Sequence, residues 1–300
     1  MAEITASMVK ELREITGAGM MECKKALTES NGNIEEAIDI LRTRGLAALA
    51  KKAGRATNEG AVAAYMSEDA QVGVLIEVNC ETDFVGTNAT FTSFVSELAG
   101  VVGASNPADV AALMAEPVPG RDVTVEGLFG EMVGKLGENM GVARFVRQDC
   151  AGTGAVTTYI HSGAKIGVLV TFEFANQATA TAEAFRVMAR DVAMQVAAAD
   201  PIAVSRDDFD SAVVAHELSI YRAQAAESGK PEAIQEKMAE GRLQKFYKEQ
   251  ALLEQGFVKD PDRSVSEYVA SVAKSIGDDI KVVKFERFVL GATAEAADEE

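Results

Sequence analysis

Apolar residues recur at helical spacing in three short segments of the first 55 residues, and polar or glycine-containing turns separate the segments. Thr5 precedes the first segment and Asn33 precedes the third, and both residue types are favoured as helix N-caps. Glu36 lies three residues after Asn33, as in a capping box. Residues 1–55 are therefore predicted to form a bundle of three short helices. Its apolar positions are Met8, Val9, Leu12, Ile15, Cys23, Ala26, Leu27, Ile34, Ala37, Ile38 and Leu41.

A basic and then polar linker is predicted over residues 51–59, and a pattern that occurs twice follows it. G-A-V-A-A-Y-M-S-E-D-A-Q-V-G-V-L-I-E-V begins at Gly60, and G-A-V-T-T-Y-I-H-S-G-A-K-I-G-V-L-V-T-F begins 94 residues later at Gly154, without gaps. Each copy predicts a β-hairpin with a polar turn, at residues 67–71 and 161–165, and a nearly continuous apolar second strand that is buried on both faces. A repeated hairpin predicts two similar subdomains.

The first copy begins a predicted subdomain over residues 56–149. A helix follows its hairpin, because four apolar residues share one helical face: Phe91, Phe94, Val95 and Leu98. Proline- and glycine-containing segments then predict loops. Residues 124–136 predict another helix, and residues 142–147 predict a third strand.

The second copy begins a predicted subdomain over residues 150–290. An alanine-rich helix over residues 178–199 can pack closely on its sheet. Ser264 with Glu267 forms a capping-box pattern before another helix, and residues 281–290 alternate like a third strand. The fold class is therefore α+β, with a three-stranded antiparallel sheet in each subdomain.

Residues 206–253 carry apolar residues at helical multiples, and S-G-K-P interrupts them midway at residues 228–231. The pattern predicts a protruding antiparallel coiled-coil hairpin inserted into the second subdomain, with Pro231 opening its second helix. Oligomerisation, partner contact and a structural role all suit such a hairpin, and the sequence does not distinguish a monomer from a dimer. Residues 291–300, rich in Ala, Glu and Asp, predict a disordered acidic tail.

Composition narrows the class of protein. The 300 residues are 48% hydrophobic and 25% charged, as in ordinary soluble proteins, but the net charge is −17. Because Lys and Arg contacts to phosphate dominate nucleic-acid affinity, direct nucleic-acid binding is not expected, and residues 51–55 are a short basic exception. Three widely spaced cysteines, with neither a signal peptide nor an apolar run of about 18 residues, predict a cytoplasmic protein without membrane contact.

Catalytic motifs are missing from the sequence. It contains no P-loop, H-E-x-x-H, G-x-S-x-G or EF-hand pattern. The two histidines, His161 and His216, accompany no recognisable carboxylate pair, and the residues alone favour a solvated turn histidine for His161. No catalytic residue, metal site or cofactor is predicted, and a protein is the expected partner.

The stretch E-V-N-C-E-T-D-F-V-G, residues 77–86, ends the buried strand of the first copy and enters a turn that presents Phe84 and Val85. Composition alone favours burial of Phe84, because most phenylalanines are buried, and the alternative is a side chain held out for a partner. The second copy reads E-F-A-N after Phe172 instead. This asymmetry favours a functional role for the first loop.

The sequence T-D-F-V after a buried strand resembles a signature of the translation elongation factor Ts family. L-R-E-I-T-G-A-G-M-M-E-C-K-K-A-L, residues 12–27, matches the other signature of that family closely. The three-helix pattern is similar to the ubiquitin-associated (UBA-like) fold, a binding module. The duplicated hairpins, S-G-K-P and F-V-K-D-P follow in family order, so the resemblance covers about residues 2–290.

The resemblance implies a guanine nucleotide exchange factor for elongation factor Tu, without covalent chemistry. Such a factor binds the GDP form, disturbs the magnesium and phosphate site, releases GDP and so allows GTP loading. The residues that would carry this role are Thr82, Asp83, Phe84 and Val85, with Asp83 and Phe84 beside the magnesium site. Lys52, Leu136, Gly137 and His161 match further contacts of the family. Met20 and Met21 cannot both face one core, and methionine suits adaptable binding surfaces, so they are predicted contacts as well.

Some positions depart from the family pattern. Gly86 replaces a small Ala or Ser and is expected to loosen the loop, Gln195 stands where some members carry histidine, and Gly256 replaces a common proline. The longer C-terminal module of some members is expected to be absent. A structural or chaperone-like interaction protein is the alternative from another class, and its binding would not depend on Phe84. An enzyme with an unrecognised carboxylate site is a third alternative, which no motif supports.

Overall fold

The N-terminal part of the protein is the predicted three-helix bundle. The structure is a computed structural model, and it describes residues 4–150 and 152–292. The bundle consists of α1 (Ala6–Thr16), α2 (Met20–Glu29) and α3 (Ile34–Lys52). The Thr5 hydroxyl accepts a hydrogen bond from the Met8 amide, and the Asn33 side chain accepts one from the Glu36 amide, so both predicted N-caps are confirmed. The bundle core contains Val9, Leu12, Cys23, Ala26, Leu27 and Ala37.

Two details of this bundle differ from the sequence prediction. Ile15 is 57% exposed instead of lying in the core, because the core is already filled by Leu12 and its neighbours. The third helix continues through Lys52, so the linker begins only after that residue. Ala48 and Leu49 on this longer helix pack against the core of the next subdomain, which explains why the helix continues.

The first subdomain is an antiparallel sheet with its helices packed on one core. Its elements are β1 (Glu59–Met66), β2 (Val72–Cys80), α4 (Asp83–Gly86), α5 (Ala89–Ser105), α6 (Val110–Ala115), α7 (Val125–Leu136) and β3 (Met140–Asp149). The strand order is β1-β2-β3, so the predicted hairpin and third strand are confirmed. The predicted face of α5 is buried at all four positions. The sequence does not predict α6, a short helix that buries Leu113 in the core of this subdomain.

The second subdomain repeats this architecture. Its elements are β4 (Gly154–Ile160), β5 (Ile166–Phe174), α8 (Glu183–Ala199), α9 (Ser211–Ala226), α10 (Glu232–Gln250), β6 (Gly256–Phe257), β7 (Asp260–Ser264), α11 (Val265–Ile276) and β8 (Ile280–Val289). The strand order is β4-β5-β8, and the predicted capping box of Ser264 and Glu267 forms. The alanine-rich helix begins later than predicted, because a 3-10 turn over Gln177–Thr181 precedes it. The small β6–β7 hairpin was not predicted.

The duplication extends beyond the part visible in the sequence. β5 begins and ends 94 residues after β2, and α8 begins and ends 94 residues after α5. The next elements, α11 and β8, follow α7 and β3 at a larger and equally constant spacing of 140 residues. The change in spacing places the insertion after α8, where α9 and α10 form the predicted antiparallel helical hairpin. Those helices pack mainly on each other, with Ala225 and Ala239 buried between them.

The two sheets pack face to face through a small apolar core to which both copies contribute. This core comprises Val62, Leu75, Val156, Leu169 and Phe288. Glu77 on β2 is fully buried, and its carboxylate accepts hydrogen bonds from the Arg144 side chain at 2.8 Å and from the Gly291 amide at 2.8 Å. The acidic tail predicted over residues 291–300 lies outside the described residues from position 293 onward. No helix of the described residues is long and apolar enough to cross a membrane.

Candidate partner-binding site

The T-D-F-V residues 82–85, here called the TDFV loop, leave the end of β2 and enter the single turn of α4. Thr82 is the N-cap, and its hydroxyl accepts a hydrogen bond from the Val85 amide at 3.4 Å. Val85 is buried in the core of the first subdomain, whereas Phe84 is 83% exposed and Asp83 is exposed. The burial of Phe84 that composition favours is therefore wrong. Val85 takes the inward position of this one-turn helix, which leaves Phe84 on the outer side.

Gly86 fixes the other end of the TDFV loop. It is buried, and a Cβ atom at this position would lie 2.9 Å from the carbonyl oxygen of Gly60, at the start of β1. Glycine therefore allows the turn to lie directly on the backbone of the sheet. This packing differs from the expectation that Gly86 loosens the loop.

Glu138 contacts the base of the TDFV loop from the segment that joins α7 to β3. Its carboxylate accepts one hydrogen bond from the Thr82 amide at 3.0 Å and another from the Thr82 hydroxyl at 2.6 Å. The Cys80 thiol donates to the Thr82 carbonyl at 3.2 Å. Burial, and in second place the Glu138 charge, raises the pKa of the Cys80 thiol to about 12, so this thiol remains a protonated donor. All polar backbone groups of Thr82 are thus held before a partner arrives.

A second carboxylate makes the reciprocal contact. Glu81, next to the TDFV loop, accepts a hydrogen bond from the Asn139 amide at 2.6 Å and another from the Arg55 guanidinium at 3.2 Å. The Asn139 side chain donates in turn to the Arg55 carbonyl at 2.9 Å. The Asn139 amide, followed by the Arg55 side chain, holds the pKa of Glu81 below its usual range. The loop, the linker after α3 and the segment after α7 therefore form one hydrogen-bonded unit.

The same unit includes three of the other predicted contact residues. The Lys52 ammonium, at the end of α3, donates to the Gly137 carbonyl. Gly137 is the exposed C-cap of α7 in the left-handed conformation, with φ of 80°. Leu136 is half-buried and packs on the core of the first subdomain. Leu136 and Gly137 directly precede Glu138 in the chain, and Lys52 reaches this segment from the end of α3. Since Glu138 contacts Thr82, the three residues lie near the TDFV loop.

His161 lies on the turn of the second hairpin and is exposed, with its Nδ1 atom 3.0 Å from the Tyr159 hydroxyl. Lys165, on the same turn, pairs with Glu59 at 3.2 Å. Glu59 is the first residue of β1 and pairs with Cys80 in the sheet. The turn of the second hairpin and the TDFV loop therefore meet the same end of β1.

Met20 and Met21 begin α2 and are 59% and 64% exposed. Neither methionine is used by the bundle core, which leaves both available on the surface. The bundle that carries them is joined to the first subdomain by packing of α3 along α7, including an ion pair between Arg42 and Glu131 at 3.4 Å. These two methionines form a separate exposed apolar patch on the N-terminal module.

The sequence does not predict the roles of Glu81, Glu138 and Asn139, which hydrogen-bond the TDFV loop to the linker after α3 and to the segment after α7. A repeated order of residues could have identified Glu138: a helix-ending glycine is followed by a carboxylate, Gly137-Glu138 in one half and Gly277-Asp278 in the other. Within the described part of the chain, no cluster of three or more His, Cys, Asp or Glu side chains could hold a metal ion. The groups gathered here are hydrogen-bond donors and acceptors that surround one exposed aromatic side chain.

Two of the predicted departures from the family pattern meet each other. The buried Gln195 side chain donates to the Gly256 carbonyl at 3.2 Å and to the Gln255 side chain at 3.0 Å, and it accepts from the Val258 amide at 2.8 Å. Gln195 thus organises the β6–β7 segment through both of its polar ends. Its role is structural and lies in the second subdomain.

The site thus combines an exposed aromatic side chain, on a loop that is hydrogen-bonded at both ends, with a duplicated α+β fold. The sequence model of the family described as Elongation factor TS matches residues 81–292. The chain is 47% identical over 296 residues to elongation factor Ts of Clostridium perfringens, covering 99% of this chain and 96% of that protein. It is 48% identical to the factor of Clostridium kluyveri, with 99% and 96% covered, and 49% identical to that of Clostridioides difficile, with 97% and 94% covered.

The chain belongs to the elongation factor Ts family. The family's role is nucleotide exchange in the elongation phase of protein biosynthesis. The family resemblance stated from the two signatures is therefore confirmed.

Proposed function

We propose that this protein is the guanine nucleotide exchange factor of elongation factor Tu. It binds the GDP form of that GTPase, disturbs the magnesium and phosphate site, and releases GDP so that GTP can load. The observation that carries the proposal is the 83% exposure of Phe84 on a loop whose backbone is already fixed. A large aromatic side chain left in water by a folded protein is typical of a binding hot spot.

The order of the TDFV loop before binding supports an insertion role for Phe84. Thr82 is held by Glu138, and Val85 and Gly86 are buried, so only Asp83 and Phe84 extend outward. Binding then immobilises little more than the phenylalanine side chain, which lowers the entropic cost of association. The free energy of the new contacts is then available to displace groups of the partner.

The chemistry of the partner's nucleotide site explains how a small displacement releases GDP. Magnesium requires nearly octahedral coordination at short distances, so moving a supporting loop weakens the contact between the metal and the phosphates. In the proposed complex Phe84 inserts between partner side chains, and the Asp83 carboxylate lies beside the magnesium site. The coupling is reciprocal: the factor by which this protein weakens GDP binding is the factor by which GDP weakens binding of this protein.

The remaining proposed contacts surround this centre. Lys52, Leu136 and Gly137 belong to the same hydrogen-bonded unit as the TDFV loop, and the His161 turn meets the adjacent end of β1. Met20 and Met21 extend the surface onto the N-terminal module. The exchange requires binding energy alone, because no bond of the nucleotide is broken.

The test is the release of a fluorescent GDP from elongation factor Tu, measured by stopped flow. Wild-type protein should accelerate release strongly, and Phe84→Ala should lose most of the acceleration, because its truncation removes the inserted side chain. Ile202→Ala is the matched control, since Ile202 is another large apolar residue that is 58% exposed, at the base of the helical hairpin. Its acceleration should equal that of the wild type. Absence of acceleration by wild-type protein would refute the exchange function and favour the alternative of an interaction protein.

A further inference from the structure

We propose that Glu138 is the positioning residue of the exchange reaction: its carboxylate holds the TDFV loop in the conformation that presents Phe84. This inference deepens the proposed function and rests on it. Glu138 does not belong to the T-D-F-V signature, and it reaches the loop across 56 residues of chain. Its role would be exerted through Thr82.

The geometry of the contact between Glu138 and Thr82 fixes the orientation of the TDFV loop. Both carboxylate oxygens of Glu138 are used, one by the Thr82 amide and the other by the Thr82 hydroxyl. Hydrogen bonds to a carboxylate are shorter and stronger than those between neutral groups. The Thr82 hydroxyl, which donates to Glu138, also accepts from the Val85 amide. The carboxylate therefore orients the N-cap, and the N-cap orients the turn that separates exposed Phe84 from buried Val85.

The second half of the molecule supplies an independent observation. Asp278, which follows the C-cap Gly277 as Glu138 follows Gly137, accepts hydrogen bonds from the amides of Ala175 and Asn176 at 3.1 Å and from the Thr179 hydroxyl at 2.5 Å. Asn176 is the N-cap of the 3-10 turn that occupies the place of α4. A carboxylate after the helix C-cap thus holds the loop after the central strand in both halves.

The two halves differ in what this arrangement presents. At the position 94 residues after Phe84 the second half carries Ala178, which is exposed as Phe84 is, and Thr179 is buried as Val85 is. The same support therefore holds an aromatic side chain in one half and a methyl group in the other. The carboxylate contact that holds this loop is therefore common to both halves, and the first half carries an aromatic residue at the tip of the loop.

The difference between the halves provides a matched control. Glu138→Ala removes the acceptor for Thr82, and Asp278→Ala removes the equivalent acceptor in the half without an aromatic tip. We expect Glu138→Ala to reduce the second-order rate constant of GDP release by at least about tenfold, because the hydrogen bonds that it removes are charge-assisted and one such bond alone is worth about that factor. Asp278→Ala should change that constant by less than about twofold, because its loop carries no inserted side chain. Glu138→Gln keeps one acceptor oxygen and should lie between wild type and Glu138→Ala.

A double-mutant comparison separates positioning from a direct contact with the partner. If Glu138 acts through Phe84, adding Glu138→Ala to Phe84→Ala should lower the rate constant by less than about twofold further. An undiminished tenfold loss in the Phe84→Ala background would overturn the proposal, because Glu138 would then act without Phe84. Equal losses for Glu138→Ala and Asp278→Ala would overturn it as well, since they would indicate general destabilisation.

Hydrogen exchange of the free protein gives a readout that does not involve the partner. In Glu138→Ala the Thr82 and Val85 amides should exchange faster, while amides in the β2 core keep their protection. Thermal unfolding of the variant should remain a single cooperative transition. Unchanged protection of those two amides would contradict the positioning role. Wild-type protein that fails to accelerate GDP release would refute the exchange function itself. Acceleration by wild type that is insensitive to Glu138→Ala would refute only the role of Glu138.

Discussion

The backbone amide of Val62 donates a hydrogen bond to the carbonyl of Ala164 at 2.7 Å, and the equivalent pair in the other direction, Val156 to Ala70, measures 2.8 Å. Each hairpin thus places its turn against the first strand of the other hairpin. Ala70 and Ala164 both have φ of 54°, a left-handed conformation that is costly for alanine. The reciprocal hydrogen bonds offset that cost in both turns. The two halves therefore form one unit, which keeps the His161 turn beside the β1 strand.

The first prediction concerns the packing of these hairpins. Gly167 on β5 lies so close to the other half that a Cβ atom would be 2.5 Å from the Val62 side chain. Gly167→Ala should therefore lower the free energy of unfolding by about 1–3 kcal/mol, the usual cost of overpacking a core. At Gly141 on β3 a Cβ atom would have no other atom within 4 Å, so Gly141→Ala should leave the free energy of unfolding nearly unchanged. Urea denaturation of both variants checks this, and equal midpoints would contradict the close packing.

The second prediction concerns the buried charge of Glu77. Arg144→Met leaves this carboxylate without its cationic partner and should cost about 3 kcal/mol of unfolding free energy, near the lower end for a broken buried pair because Arg144 is partly exposed. Arg222→Met breaks an exposed pair with Glu236 on the helical hairpin and should cost about 1 kcal/mol or less. Denaturant unfolding measures both values.

A second variant isolates the charge as the cause. Adding Glu77→Gln to Arg144→Met removes the uncompensated charge while retaining an acceptor for the Gly291 amide. The double variant should therefore be more stable than Arg144→Met alone. If it is less stable, the loss in Arg144→Met comes from side-chain packing on Phe288, over which the guanidinium lies at 4.1 Å.

The third prediction is a dependence of stability on pH. The folded-state pKa of Glu81 lies below its ordinary value of 4.5, chiefly because the Asn139 amide donates to the carboxylate. The stabilisation by Glu81 is therefore fully present above pH 4.5 and is lost as the pH falls through the lowered folded-state pKa. Glu81→Gln should melt below wild type at pH 7, and the difference in Tm should shrink as the pH falls below 4.5. A difference that stays constant down to pH 3 would show that the ionised carboxylate is not the stabilising form.

Much of the fold follows from local patterns in the sequence. The repeated residues from Gly60 and Gly154 predict both hairpins because each copy has a polar turn followed by a nearly continuous apolar strand. The sequence does not predict that α7 and α11 are equivalent helices of the two halves. Their shared features are limited to a hydroxyl N-cap, Thr124 or Ser264, and a glycine after the helix. The burial of Glu77 depends on Arg144, 67 residues later, and local pattern carries no information about that pair.

The candidate site shows where residue statistics fail. Composition favours a buried Phe84, yet the side chain that enters the core is Val85. That choice depends on the Thr82 cap and on contacts from Glu138 and Gly60, which lie far away along the chain. The resemblance to the family indicated the correct orientation because it carries information from the whole fold.

The last prediction tests how firmly the TDFV loop is held at Gly86. Gly86→Ala should lower the free energy of unfolding by about 1 kcal/mol, because its Cβ atom would approach the Gly60 carbonyl oxygen to 2.9 Å and the backbone there must shift. Gly100→Ala is the control of opposite sign. Gly100 lies within α5 and a Cβ atom there meets nothing within 4 Å, so alanine should stabilise the helix by about 0.5–1 kcal/mol. Denaturant unfolding of the two variants gives both signs, and stabilisation by Gly86→Ala would mean that the turn rests less tightly on β1 than its position indicates.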